Sequence, residues 1–257
     1  MARSFPGSTN TDRIYFSTHT FSTAVSISIW LYINAYDTTF RRAWHFGEGV
    51  ADNRDRLAIL NDGTRDELYT EFYWDTNLGT WTCAGPLIGG WHHVLVTYNG
   101  ASTANDAIIY IDGTSQTITE ETTPSGSLLA GDQDIWIGNR EDLARCFNGY
   151  LAEYARWGAI LTQAEATILS KGFSPLFVNL GNLNHYIPII GRKSPETDIM
   201  TATTGTVTNT TNVTHPRIIY PSSAQVRRFT TAVAAAGGGI EDWPVMTGNK
   251  FSGWRYS

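Results

Sequence analysis

Hydrophobic and polar positions alternate along much of this chain. Val25, Ile27, Ile29, Leu31 and Ile33 are separated by Ser26, Ser28, Trp30 and Tyr32, a period-two run that predicts a long strand with one face in a core and aromatic rings on the other. Residues 91–99 continue the pattern as Trp-His-His-Val-Leu-Val-Thr-Tyr-Asn, and 109–113, Ile-Tyr-Ile-Asp-Gly, end a second strand in an Asp-Gly turn. Together they predict hairpin units of an antiparallel sheet. Further strands are expected at 41–46, 57–61, 68–74, 81–83, 135–138 and 150–157, between clusters of Gly, Asp and Asn. The helical period occurs once: Leu161, Ala164, Ile168 and Leu169 share a face, Thr162 and Glu165 have capping-box spacing, and Gly172 is a stop.

After Gly172 the pattern changes. Short apolar pieces (176–178, 186–190) precede a Thr-, Asn- and Gly-rich stretch at 201–214, which favours extended chain. Residues 231–239 are an Ala/Gly hinge, and 240–257 carry Trp243, Phe251, Trp254 and Tyr256. The expected organisation is a sandwich over 1–172, a β-rich arm over 173–221 that packs on the sandwich or on a neighbour, and a hinge with an aromatic tail over 222–257. Arg227, Arg228, Phe229, Trp243, Trp254 and Tyr256 are of the types that anchor interfaces, so this tail is expected to serve assembly.

Composition narrows the classes. With 42% hydrophobic residues in 257 and only two cysteines, the core needs neither disulfide nor metal to form. A disulfide between Cys83 and Cys146 is allowed but not indicated. The net charge of −6 leaves no basic face for phosphate neutralisation, so nucleic acid is not an expected partner. The start, Met-Ala-Arg-Ser-Phe-Pro-Gly, has no signal-peptide apolar region, and no run approaches the ~18 apolar residues of a membrane span.

The order of motifs resembles a known family. Phe5-Pro6-Gly7, Ser26-Ile27-Ser28-Ile29-Trp30-Leu31, Trp91-His92-His93-Val94 with Tyr110-Ile111-Asp112-Gly113, Ile137-Gly138-Asn139, Phe147-Asn148-Gly149-Tyr150-Leu151-Ala152-Glu153 and Leu161-Thr162-Gln163-Ala164-Glu165 are similar to the laminin-G-like and pentraxin-like branch of the concanavalin A-like lectin/glucanase superfamily. The resemblance implies an all-β, two-sheet antiparallel jelly-roll sandwich with one short helix, followed here by an extended C-terminal arm. Lys171-Gly172-Phe173-Ser174-Pro175-Leu176 and His215-Pro216-Arg217-Ile218-Ile219-Tyr220-Pro221 resemble the extension on laminin-G-like proteins encoded by bacteriophages. That implies a non-enzymatic virion structural protein, a capsid decoration or tail accessory, whose partners are other virion proteins or further copies of itself. The alternative is a calcium-dependent adhesin that binds cell-surface glycans.

Candidate sites follow from these readings. Asp52-Asn53 and Glu141-Asp142 resemble the acidic loops of the pentraxin calcium site, and calcium needs six to eight converging oxygens. Asp and Asn are also ordinary turn residues. Trp44, Tyr73, Trp74 and Trp81 could stack on a sugar, although alternating aromatics in a sandwich are more often core. Glu67 and Glu71 share a strand face, as in the family's glycoside hydrolases, but Tyr69 replaces the aspartate between them, so hydrolysis is not expected. His92 and His93 are adjacent on a strand, point to opposite faces and cannot share a metal, and one of them is expected to have a backbone partner.

Overall fold

The computed structural model describes residues 1–7, 11–48, 52–191 and 194–222. In chain order the strands are β1 (Ala2–Pro6), β2 (Arg13–His19), β3 (Ala24–Ile33), β4 (Arg41–Glu48), β5 (Asp52–Asn61), β6 (Asp66–Phe72), β7 (Gly79–Ala84), β8 (Trp91–Asn99), β9 (Ile108–Ile111), β10 (Thr114–Ser115), β11 (Thr119–Thr122), β12 (Gln133–Ile137) and β13 (Asn148–Trp157). One α-helix among the described residues, α1 (Gln163–Ser170), precedes β14 (Leu183–Ile187), β15 (Glu196–Thr197), β16 (Thr204–Thr208) and β17 (Thr211–Val213).

Two antiparallel sheets face each other, as the alternation requires. One has the order β10-β9-β8-β3-β13-β1-β17, with β14 also on β13; the other runs β11-β7-β6-β5-β4-β12-β2-β16-β15. The long strand β13 serves two neighbours on one side because it bulges between Ala152 and Ala155, with Glu153 at φ +57°. Its first half pairs with β1 and its second half with β14. The predicted core face of β3 is fully buried, with Ile27, Ile29, Leu31 and Ile33 at 0% exposure. Asp112 and Gly113, at φ +50° and +78°, make the turn between β9 and β10, the conformation an Asp-Gly pair supplies most cheaply.

The capping box is present. Thr162 accepts from Glu165 N, and the Glu165 carboxylate accepts from Thr162 N at 2.7 Å. The helix lies against β8 and β10 and buries Ala166 and Leu169.

The chain after Gly172 joins the sandwich on both sheets: β14 and β17 extend the first, β16 and β15 the second. Residues Met1–Ile218 accordingly form one compact unit. The tail positions Arg227, Arg228, Phe229, Trp243, Trp254 and Tyr256 lie outside the described residues. Cys83 and Cys146 are free, buried thiols.

Candidate functional site

The tryptophans expected to form a sugar platform are core residues instead. Trp44 and Trp81 are at 0% exposure and Trp74 at 7%, because each occupies an inward phase of its strand or loop among Phe72, Tyr98 and Tyr154. Their indole N–H groups donate to Asp55 Oδ1, Asp106 Oδ1 and the Tyr98 hydroxyl at 3.2, 2.9 and 3.1 Å, as buried indoles require. Tyr73 is half-buried, with its hydroxyl on Glu71 Oε2 at 2.9 Å and Arg56 over its ring. These four residues present no common face to a ligand.

The two expected calcium pairs lie on different elements, β5 and the loop before β13. Asp52 and Asn53 pair with Glu48 and Gly47 at the end of β4. The 139–146 loop holds the start of that strand, where Gly138 N donates to Ala43 O and Arg42 N to Arg145 O. Asp142 is also taken: Arg140 forms an ion pair with it and Ala144 N donates to it, and the Arg140 bond holds its carboxyl below the usual range. Glu141 is exposed.

Glu67 and Glu71 do share a strand face, and both are clamped. Glu71 pairs with Arg56 and accepts from Tyr69 and Tyr73 hydroxyls at 2.7 and 2.9 Å. Glu67 pairs with Arg65 at 2.5 Å, and burial pushes its carboxyl up. Of the adjacent histidines, His92 pairs with Asp112 at 2.7 Å, whereas His93 is buried with neither ring nitrogen partnered. The buried histidine therefore lacks the backbone partner expected for its ring.

A different aromatic group faces outward. Register places Tyr32 opposite Trp91 on β8 and opposite Tyr150 on β13, so three aromatic positions stand in a row across adjacent strands and their rings lean together into one cluster. All three are half-buried. Tyr32 and Tyr150 stack at 4.7 Å between centroids, and Trp91 meets them at 6.0 and 6.2 Å, steeply tilted. The row lies at the ends of β3 and β8 and the start of β13. It is bordered by residues 86–90, where Leu87 and Ile88 are 80% and 57% exposed and Gly89 lies beside the Tyr32 hydroxyl. On the same border Asn34 Nδ2 donates to Asn148 Oδ1 at 3.3 Å, both exposed to some degree. Phenol hydroxyls, an indole face and amides next to exposed apolar side chains are a combination suited to a partly polar ligand. A second groove, of about 260 Å³, is lined by Thr97, Asn105, Asp106, Ile108 and Ile160 and has no aromatic ring.

One buried cluster of metal-ligand type went unread in the sequence. His19 at the end of β2, His185 on β14 and Asp198 bring two imidazoles and a carboxylate together, all buried. Burial, with His185 second, lowers the His19 pKa to about 4. His19 lies 166 residues from His185, and no local motif announces the three.

No curated protein is similar in sequence to this chain. Among solved structures, a heptameric SAP-like pentraxin from Limulus polyphemus superposes with a TM-score of 0.52 at 15% identity, covering 65% of this chain and 80% of the pentraxin. A Bacteroides ovatus protein assigned to carbohydrate binding superposes with a TM-score of 0.59 at 17% identity, over 85% of this chain and 61% of that longer one. Identities this low establish the shared sandwich alone. In sequence, residues 8–167 match the Laminin_G_3 family model, and this chain therefore belongs to the concanavalin A-like lectin/glucanase superfamily.

Proposed function

We propose that this chain is a non-enzymatic, lectin-like structural protein of a bacteriophage virion, and that it meets surface glycans through Trp91, Tyr32 and Tyr150. The observation that carries the glycan reading is the outward aromatic row itself. Cross-strand aromatics usually bury their faces, and here three stay half-exposed at the end of the sheet that α1 leaves open. An indole face packs against the C–H face of a pyranose, while the tyrosine hydroxyls and the two amides offer directional hydrogen bonds.

The non-enzymatic reading is supported by Glu71, whose two oxygens are engaged by Arg56, Tyr69 and Tyr73 where a retaining hydrolase needs a carboxylate facing the sugar. The virion setting is supported by the two segments that resemble phage-encoded extensions. They meet in the fold, with Gly172 packed on the backbone of Arg217 and Ile218.

Titration against bacterial surface glycans, first on an array and then by calorimetry, tests the binding surface. Trp91→Ala and Tyr150→Ala are expected to weaken binding by roughly tenfold or more, as loss of a central aromatic contact does, while the melting temperature stays near that of the parent. Unchanged affinity in both variants removes the surface. Mass spectrometry of purified particles tests the setting separately: absence of this chain from the virion ends that reading and leaves the glycan surface standing.

A further inference from the structure

Asp198 is held rigidly. Its Oδ1 accepts from Tyr186 N at 3.0 Å and Met200 N at 2.9 Å, and its Oδ2 accepts from the Thr201 hydroxyl at 2.9 Å. That Oδ2 lies 2.8 Å from His185 Nδ1 and 4.0 Å from His19 Nδ1, and the two Nδ1 atoms are 2.8 Å apart. Side-chain exposures are 0–3%.

Hydrogen bonding alone does not account for this geometry. An imidazole nitrogen carries either a proton or a lone pair. If His185 Nδ1 donates to Asp198, it cannot accept from His19. If it accepts from His19, its lone pair sits at 2.8 Å from a carboxylate oxygen. One proton position is asked to serve two short contacts. A cation between the three atoms removes the conflict, because every one of them then offers a lone pair. Metal–ligand bonds of about 2.0–2.1 Å to nitrogen and oxygen in tetrahedral geometry separate the ligand atoms by roughly 3.3 Å, a value that the observed 2.8 and 4.0 Å bracket.

We propose that His19, His185 and Asp198 bind a divalent transition metal of the zinc class and that the ion clasps the two sheets together. The donor set, two imidazoles and one carboxylate, suits zinc and its neighbours and lacks the six or more oxygens calcium takes. Local charge permits it, since the nearby buried cation Arg156 is matched by Asp55 at 2.7 Å. The topology gives the ion a purpose. His19 ends β2 of one sheet, whereas His185 lies on β14 of the other and Asp198 follows β15, so one ion ties the late-joining segment to both. Among the described residues neither Nε2 has a hydrogen-bond partner. The two imidazoles therefore lack the outer support that raises affinity, and a strong chelator is expected to strip the ion.

The test uses the untagged full-length chain, stripped with chelator and dialysed against zinc or cobalt. Roughly one equivalent of zinc is expected to return, with a rise in melting temperature, and cobalt is expected to give the visible d–d absorption of a four-coordinate site. His185→Gln and Asp198→Asn should abolish both signals, and His92→Gln, at the surface pair with Asp112, should change neither. A folded parent protein that takes up neither metal overturns the proposal even if the variants fail to fold. Loss of metal in the His92 variant, with retention in the His185 variant, overturns it as well.

Discussion

Acid should unfold this protein well before its carboxylates titrate, and two fully buried histidines are large contributors. His45 on β4 is at 0% exposure with neither ring nitrogen partnered. Burial, then the Arg42, Arg56 and Arg140 guanidinium groups, lower its pKa from 6.5 to about 3. His93 on β8 packs beside Trp30 at 5.5 Å, and burial lowers it to about 3 against a small opposing pull from Asp112. Both are neutral in the fold, whereas the unfolded chain protonates them near 6.5. Their contribution to stability is therefore intact above pH 6.5 and is lost as pH falls from there toward 3. Each group costs about 1.4 kcal/mol per pH unit over that window, so the pair costs on the order of 5 kcal/mol by about pH 4.5. Domains have about 5–15 kcal/mol in total. Urea titrations followed by tryptophan fluorescence should give midpoints that fall steeply below about pH 6, and His45→Gln and His93→Gln should each reduce that slope by a similar amount. A midpoint flat between about pH 7 and pH 5, or a slope unaltered by both substitutions, refutes the reasoning.

Other outcomes follow from individual contacts. Arg156→Met leaves the Asp55 carboxylate buried and unpaired and should cost about 3–5 kcal/mol in chemical denaturation, with part recovered when Asp55→Asn is added. Gly172→Ala should cost about 1–3 kcal/mol, because φ is +83° and the new Cβ would lie 2.4 Å from Arg217 O; an unchanged melting temperature would contradict this. Burial raises the thiols of Cys83 and Cys146 to about 12 and 11, so a thiol reagent at neutral pH should label the folded protein roughly 100-fold or more slowly than the denatured one. Truncation after Gly172 should give aggregating protein in light scattering, whereas truncation after Ser222 should stay monodisperse.

Strand phase was readable in the sequence, and partners were not. The alternation through β3 separates Ile27, Ile29 and Leu31 from Trp30 and Tyr32, and the structure keeps the two sets on opposite faces. The same rule, applied to every aromatic, points to the outward row. Tyr32 and Trp91 occupy phases opposite to core isoleucines and valines, and Tyr150 sits beside core Leu151. Trp44, two residues from core Phe46, is in phase with the interior. The bulge after Arg42 and that after Ala152 shift the phase, so pattern alone cannot carry register across them. The His19–His185 contact spans 166 residues and depends on which sheet the late segment joins, a matter of tertiary pairing that no local spacing encodes.

Edge accounting explains why that late segment belongs to the sandwich. Sheets with open edges offer unpaired backbone groups to other chains. Without residues 183–213, β1, β2 and the second half of β13 would each lose a partner, because β17, β16 and β14 pair there in turn. Two buried charges would also each lose a contact: Arg3, whose Nε donates to Glu196 at 2.6 Å, and Glu153, which accepts from the Tyr186 hydroxyl at 2.5 Å. A threonine-rich strand is well suited to the task, since β-branched residues favour extension and their hydroxyls tolerate the solvent side of a terminal strand. The family match ends at residue 167, yet the hydrogen-bond ladder does not. The physical unit is thus longer than the recognised one, and its last strands are the ones that bring His185 and Asp198 to His19.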